Sequence, residues 1–551
     1  MSTLDWIIIG FFFLCLVGIV VWVVRQKSSN TDDYFLAGKD AGWLSIGSSI
    51  FASNIGSEHL VGLAGAGFVS GMAMAHWEMQ AWMILLLGWV FVPFYDRIKV
   101  FTMPEFLERR YSSGSRTILS MISLISYVLT KVAVTVYSGG VVFGTVFGIE
   151  QISVFGHTVD FFWVGAIGLV LVTGIYTVLG GMKAIMYTSI LQTPVLLIGS
   201  IVILVVGLVK VGGWGEVERL CGDNIHLIRS AADKDFPWTG VILGSMIIGF
   251  WYWCTDQYIV QRVLSGRNQK EARRGSILAG YFKLLPVFLF LIPGMIAFAL
   301  FQKGLLVLPN NPITGVPDAD KAFSSLVAQL LPIGIKGVVV CGLLAALMSS
   351  LSSLFNSSAA LFVGDFYKKI KPDASEKHLL KVGRIATAAV VVLGILWIPV
   401  MKGMGNVLYQ YLQSVQGYLA PAIAVVFIFG VFWKKASAKA GLWTLIIGFG
   451  LGMFRLFLDI IKDSLTPDSF LHSMATINWL HYGEILFVLC GIVMVVVSRF
   501  TKAPTASQNE YTIYAASDEY KKETRASWNK WDVIHSVIIL GITVAFYIYF
   551  W

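Results

Sequence analysis

Apolar runs of about 18 or more residues recur along the whole chain, each long enough to cross a bilayer as a helix. Lipid offers a backbone no hydrogen bonds, so a chain of such runs must satisfy its N–H and C=O groups inside helices. The stretch 49–65, "SIFASNIGSEHLVGLAG", lies within one of these runs and goes against that rule. Its ends are apolar, but Ser53, Asn54, Gly56, Ser57, Glu58 and His59 crowd its centre.

The chain has 551 residues, 56% of them hydrophobic and 13% charged, with a mean hydropathy of +0.75. Soluble domains carry roughly twice that charged fraction. The first run, 7–24, follows no basic stretch and lacks a small-residue cleavage site, so it reads as a retained helix. We expect an all-α integral membrane protein with about 14 spans, near 4–24, 42–70, 71–96, 117–147, 160–179, 184–209, 239–260, 276–302, 326–365, 380–401, 406–433, 438–459, 478–498 and 532–551. The run 326–365 is too long for one straight crossing, so part of it should project or kink. The polar stretch 500–530 reads as a partly ordered connector.

The net charge of +9 is not a nucleic-acid signal. The basic residues cluster in four alternate loops, around Arg97–Arg116, Arg262–Arg274, Lys368–Lys381 and Lys434–Lys439. The positive-inside bias then places both termini outside. The five cysteines are scattered through mostly apolar segments with no metal spacing, so disulfides are not expected.

Polar residues inside a bilayer usually face a cavity or a neighbouring helix. Asn54-Ile55-Gly56-Ser57 reads as a helix break that exposes the carbonyls of Ala52 and Ile55 and turns Asn54, Glu58 and His59 toward a cavity. The plainer reading is a Gly/Ser packing interface with Glu58 near a helix end. Four more places match the first reading: Trp77-Glu78, "WYWCTDQ" at 251–257, Lys283, and Gln413 after Tyr409. Singly these fit a membrane-edge carboxylate, an interfacial aromatic belt, a snorkelling lysine and a helix-bonding amide. Together they resemble a hexose site, with hydrogen-bonding groups around the rim and an aromatic ring against the apolar sugar face. In "LLAALMSSLSSLFNSS" (343–358), Ala346, Ser349 and Ser350 share a helix face. Two hydroxyls and three carbonyls suit a hard cation such as sodium, while close helix packing is the alternative.

These motifs, with "DYFLAGK", "TMPEFLERRY", "WYWCTDQYIVQRVL", "FKLLPVF" and "FGVFWKK", resemble the solute:sodium symporter family and its sodium–glucose cotransporter subgroup over roughly 30–460. "NIGSEH" and "WYWC" look closer to animal glucose and inositol carriers than to many bacterial relatives. The resemblance implies two inverted five-helix repeats, at 31–215 and 216–435, with discontinuous helices. An extra helix at 1–30 and three at 436–551 flank them. It implies sugar contacts at Asn54, His59, Glu78, Tyr252, Trp253, Lys283 and Gln413, and gates at Tyr252 and Tyr409. Sodium would be held by the carbonyls of Ala52, Ile55 and Ala346 and the hydroxyls of Ser349 and Ser350. Relatives commonly read Tyr-Thr-Asp where "IMYTSILQ" places Ser189, so one sodium per sugar is expected. The implied activity is sodium-driven uptake of glucose or galactose, with a bacterial inner membrane as the expected location and no enzymatic step. Carriage of myo-inositol, a monocarboxylate, proline or sialic acid, a non-pumping sensor or channel, and proton coupling are the alternatives.

Overall fold

The computed structural model describes residues 1–26, 30–56, 58–149, 151–154, 156–311, 315–402, 408–467 and 469–551. Side chains at 128–130, 133, 154, 157, 397–402, 408–411 and 463 lie outside the description as well. Among the described residues the regular elements are helices apart from one hairpin, β1 (Gln151–Val154) paired antiparallel with β2 (His157–Asp160).

The first helices are α1 (Thr3–Arg25), the short α2 (Thr31–Leu36) and α3 (Trp43–Asn54). The chain then runs through a wide turn at Glu58–Leu63 into α4 (Ala64–Ser70), α5 (Ala75–Glu78), α6 (Ala81–Leu86) and α7 (Val92–Ile98). Next come α8 (Met103–Arg110), α9 (Ser113–Ser126), α10 (Ala133–Phe147), the hairpin, α11 (Phe161–Val211) and α12 (Trp214–Cys221). The second half brings α13 (Trp238–Phe250), α14 (Gln257–Leu264), α15 (Gln269–Lys283), α16 (Ile292–Gln302), α17 (Ala322–Leu330) and α18 (Ile335–Leu361). It continues with α19 (Lys368–Ile370), α20 (Glu376–Lys402) and α21 (Leu408–Phe432). The chain closes with α22 (Ala438–Ile461), α23 (Phe470–Thr476), α24 (Trp479–Phe500), the short α25 (Ala506–Asn509) and α26 (Asp518–Ala526), and α27 (Lys530–Tyr549).

Among the described residues, 10 continuous helical stretches are long and apolar enough to span a bilayer. The expected segments 42–70 and 239–260 are interrupted within their length, whereas 117–147 is continuous helix that widens at Tyr127–Val132. The expected segments 160–179 and 184–209 form one stretch, α11, bent at Gly181 (φ 56). A side chain at Gly181 would strike the Tyr34 carbonyl, and the Tyr34 hydroxyl bonds the carbonyls of Thr177 (3.1 Å) and Val178 (3.0 Å) at the bend. The overlong run 326–365 divides into α17 and α18 at Gly334 (φ 84). The stretch Ile335–Ile370 still has 36 residues, about 54 Å, and so projects beyond a bilayer core of about 30 Å.

The core is centred on α18, whose most apolar window is 94% buried, against 28% for α1 and for α27. Its Ala, Ser and Gly residues let neighbouring backbones approach closely. Two wide turns of the π type, Leu87–Phe91 and Val287–Leu291, each end two residues before a proline, Pro93 and Pro293. A proline ring clashes with the carbonyl four residues earlier, and a widened turn relieves that clash.

Arg110 ties α8 to the end of α21. Its fully buried guanidinium donates to the carbonyls of Gly430 (2.8 Å), Trp433 (2.8 Å) and Ala436 (3.1 Å). Arg110→Ala is expected to cost about 3–5 kcal/mol by stranding these acceptors. Arg110→Lys is expected to recover only part of this, because an ammonium lacks the planar fork. Thermal denaturation of the purified protein checks both.

Candidate functional site

The helix that begins at Trp43 ends at Asn54, where Ile55 turns to an extended conformation (φ −79, ψ 91). In an unbroken helix the Gly56 N–H would bond the Ala52 carbonyl, and the His59 N–H would bond that of Ile55. Here Gly56 N–H bonds the Asn54 carbonyl (3.0 Å) and His59 N–H bonds the Gly56 carbonyl (3.1 Å). The break falls where the sequence places it, and the carbonyls of Ala52 and Ile55 lose their helical donors. Ser57 lies outside the described residues.

Two helices hold the broken end. Ser350 of α18 donates its hydroxyl to the Ser53 carbonyl (3.1 Å), and the Tyr258 hydroxyl of α14 donates to the same oxygen. The Ser53 hydroxyl bonds Ser353 (2.7 Å) and accepts from Arg262 Nε (3.2 Å). Ser349 Oγ is buried with no hydrogen-bond partner among the described residues. Ala346, one turn before Ser350 on α18, is also buried. A side chain at Gly56 would collide with both the Glu58 carboxylate and the Ser350 hydroxyl, so those groups flank the break. No cluster of three or more His, Cys, Asp or Glu residues suited to a metal occurs among the described residues. The oxygens gathered at the break are mainly carbonyls and hydroxyls, a donor set for a hard cation.

Beside the break lies a buried cavity of about 40 Å³. Its lining includes all seven residues expected at a sugar site: Asn54, His59, Glu78, Tyr252, Trp253, Lys283 and Gln413. Glu78 is fully buried between the Lys283 ammonium, with Nζ at 2.5 Å, and the His59 ring, with Nε2 at 3.3 Å. Lys283 also stands over the Trp253 ring at 5.2 Å. Gln413 Oε1 is buried with no hydrogen-bond partner among the described residues. The side chain of Tyr409, the expected outer gate, lies outside the described residues.

Wide turns deliver several of these groups. Glu58 and His59 sit in the turn Glu58–Leu63, and Tyr252 and Trp253 in the turn Trp251–Thr255. The latter is closed by an i→i+5 bond from Asp256 N–H to the Trp251 carbonyl (2.9 Å). One extra residue in a turn rotates the following side chains, and such turns recur at functional sites.

Sequence reasoning assigned no role to Gln80, Lys131 or Gln416, which also line the cavity, as does Trp77 beside Glu78. Lys131 pairs with Asp256 at 2.9 Å and stands over the Tyr252 ring at 4.5 Å. Asp256 also accepts from the Tyr127 hydroxyl and from Tyr258 N–H at the start of α14. A lysine in the apolar run "LISYVLTKVAV" is itself a signal, because an intramembrane charge seldom lacks a function. Gln416 follows Gln413 by one helical turn and so shares its face. Ser189 donates its hydroxyl to the Ile185 carbonyl of its own helix (2.7 Å), and Ser352 does the same to Ser349 (2.9 Å).

Glu78 and Lys283 form a tightly buried pair, so removing one partner strands the other. Lys283→Ala is expected to cost about 3–5 kcal/mol, while Glu78→Gln with Lys283→Gln should recover most of that stability. Thermal denaturation of both variants checks the pairing independently of any transport assay.

The model of the sodium:solute symporter family matches residues 34–448. The chain is 36% identical to sodium/glucose cotransporter 1 of Oryctolagus cuniculus over 533 residues, covering 90% of this chain and 79% of that protein. It is 35% identical to sodium/myo-inositol cotransporter 2 of the same species over 534 residues, covering 91% and 77%. A solved structure of a sodium-coupled sialic acid symporter in a substrate-bound, outward-open state superimposes with a TM-score of 0.73 at 20% identity, covering 92% of this chain and 99% of that one. That last likeness shows the fold. This chain belongs to the sodium:solute symporter family and is a sodium-coupled membrane transporter, not an enzyme.

Proposed function

We propose that this chain couples inward sodium flow to uptake of a neutral hexose, glucose or galactose, by alternating access. The cavity carries the reading. It is rimmed by amide, imidazole, carboxylate and ammonium groups, each able to bond sugar hydroxyls, with Trp253 and Tyr252 as aromatic walls. The buried pairs Glu78–Lys283 and Asp256–Lys131 are each compensated, an arrangement that favours an uncharged solute. Charge-assisted bonds from Glu78 and Lys283 would be the strong ones. The assigned sugar contacts are Asn54, His59, Glu78, Tyr252, Trp253, Lys283 and Gln413, with Tyr252 as inner gate and Tyr409 as outer gate.

Sodium is assigned to the carbonyls of Ala52, Ile55 and Ala346 and the hydroxyls of Ser349 and Ser350. The released carbonyls and the unpartnered Ser349 hydroxyl support that assignment. We assign the repeats to 31–215 and 216–435 and place both termini outside, so that the basic loops face the cytoplasm. Sodium enters first, joins the broken helix to α18 and favours the outward-open state. Sugar follows, the aromatic gates close, and the core rocks inward. A ligand shifts such an equilibrium only by its differential affinity for the two states.

One sodium crossing 100 mV supplies about 2.3 kcal/mol. A tenfold gradient adds about 1.4 kcal/mol. Together they would concentrate a neutral sugar by up to several hundredfold, an order-of-magnitude limit.

Myo-inositol is the second reading, because its carriers match this chain as well as a glucose carrier does. Uptake of labelled glucose, galactose and myo-inositol into proteoliposomes, with and without a sodium gradient, decides between them. Sodium-driven accumulation of a hexose, reduced at least tenfold in Ser350→Ala and in Gln413→Ala, is the expected result. Accumulation of myo-inositol alone would replace the hexose reading, and binding without accumulation would favour a sensor. A sodium Hill coefficient near 1 is expected because Ser189 is a neutral hydroxyl engaged with its own helix. A coefficient near 2 with a matching charge-to-sugar ratio would overturn the single-sodium reading.

A further inference from the structure

A second polar cavity, of about 290 Å³, lies beside Arg267 of the basic loop Arg262–Arg274, which pairs with its lining residue Asp40. It sits between the end of α1, the turn after α2, the bend of α11 and α20. Asp33, Asp40, Lys183 and Arg384 supply its charged lining, and Val24 and Leu179 its apolar lining.

The two signs of charge are not equally engaged. Asp40 is held by Arg267 at 2.7 Å, and Asp33 has a partner of its own. Lys183 has no ion-pair or hydrogen-bond partner among the described residues. Arg384 stands over the Tyr34 ring at 5.9 Å, and its Nε is buried without a hydrogen-bond partner. Lys183 also lies just past the bend at Gly181, where the second half of α11 begins. A helix start adds partial positive charge. The turn beside the cavity holds Ala37 (φ 52) and Lys39 (φ 54), two of the three non-glycine residues with positive φ among the described residues. Such backbone is costly and tends to be kept around ligand sites.

The surroundings identify the source of the anion. At Gly180 of α11, a side chain would touch Val23 and Val24 of α1, so the two helices meet at the cavity wall. From there Val21 and Trp22 on α1, and Leu171, Ile175 and Leu179 on α11, are exposed apolar residues. A soluble anion needs no such track, whereas acyl chains do. We propose that the cavity holds the phosphate headgroup of an anionic membrane phospholipid, with its chains along the seam between α1 and the first half of α11. Basic pockets between helices on the cytoplasmic side commonly take such headgroups, and guanidinium groups pair well with phosphate. A choline headgroup fits less well, because its fixed cation would face Lys183, Arg384 and Arg267. Bound there, the lipid would brace the bend of α11 against α1 and α20.

The test uses the purified full-length protein in detergent micelles doped with phosphatidylglycerol or phosphatidylcholine, or supplied with inorganic phosphate. Phosphatidylglycerol is expected to raise the apparent Tm by on the order of 3 °C over phosphatidylcholine. The difference should vanish in Lys183→Gln with Arg384→Gln. Lys183→Gln alone removes an unpaired, partly exposed cation, so it keeps the fold, and it should lose about half of the shift if the two cations share the phosphate. An equal response to the two lipids, or an undiminished shift in Lys183→Gln, would overturn the proposal. A shift reproduced by inorganic phosphate would overturn the lipid assignment in favour of a soluble anion.

Discussion

A helix interrupted inside a bilayer must find protein partners for the backbone groups it releases, since lipid supplies none. That requirement at Ile55–Gly56 organises the centre of this molecule. The Ser53 carbonyl is met by Ser350 and Tyr258, and the Ser53 hydroxyl by Ser353 and Arg262. One break therefore draws together α3, α14 and α18. The small residues along α18 allow the approach, and its serines provide the donors. A leucine at position 350 would overpack a buried site and remove one of the two donors to the Ser53 carbonyl. The Ser-rich sequence is thus needed for the fold as much as for any ion.

The cavity follows the same logic for charge. A lone carboxylate at the depth of Glu78 would be very costly, and the Lys283 ammonium against it offsets much of that cost. Lys131 and Asp256 form a second buried pair, with Lys131 over the Tyr252 ring. Both pairs join residues of one half of the chain to residues of the other. On the proposed function, a sugar arriving between them would meet oriented donors and acceptors whose charges are already compensated. That arrangement suits a solute that brings hydroxyls and no charge.

Much of this was legible in the sequence because membranes make polar residues conspicuous. Asn54 through His59 stood out against an apolar background, and the break is located there. Glu78, Lys283 and Gln413 stood out for the same reason, and one cavity gathers them. Lys131 was just as conspicuous, but its partner Asp256 lies 125 residues away, and no local pattern links the two. The widened turns at Glu58–Leu63 and Trp251–Thr255 were not legible, because one extra residue per turn leaves no composition signal. The bend at Gly181 was read as a gap between two spans, since a glycine and a lysine close together look like a short loop. The pairing of Lys183 and Arg384 across 201 residues of chain could come only from coordinates.

The size of the cavity bears on how transport would proceed. About 40 Å³ holds a few water molecules, well below the roughly 300 Å³ at the small end of ligand pockets. The described conformation is thus contracted around the site, and a hexose would enter only as the walls part. Those walls include Tyr252 and Trp253 from the turn after α13, Gln413 and Gln416 from α21, and Asn54 and His59 from the break itself. In the proposed cycle the carbonyls of Ala52 and Ile55 hold sodium, while Asn54 and His59 on the same turn hold sugar. An ion that fixes those carbonyls also fixes the side chains two to four residues along. Coupling then needs no long relay, because both ligands act on one broken turn.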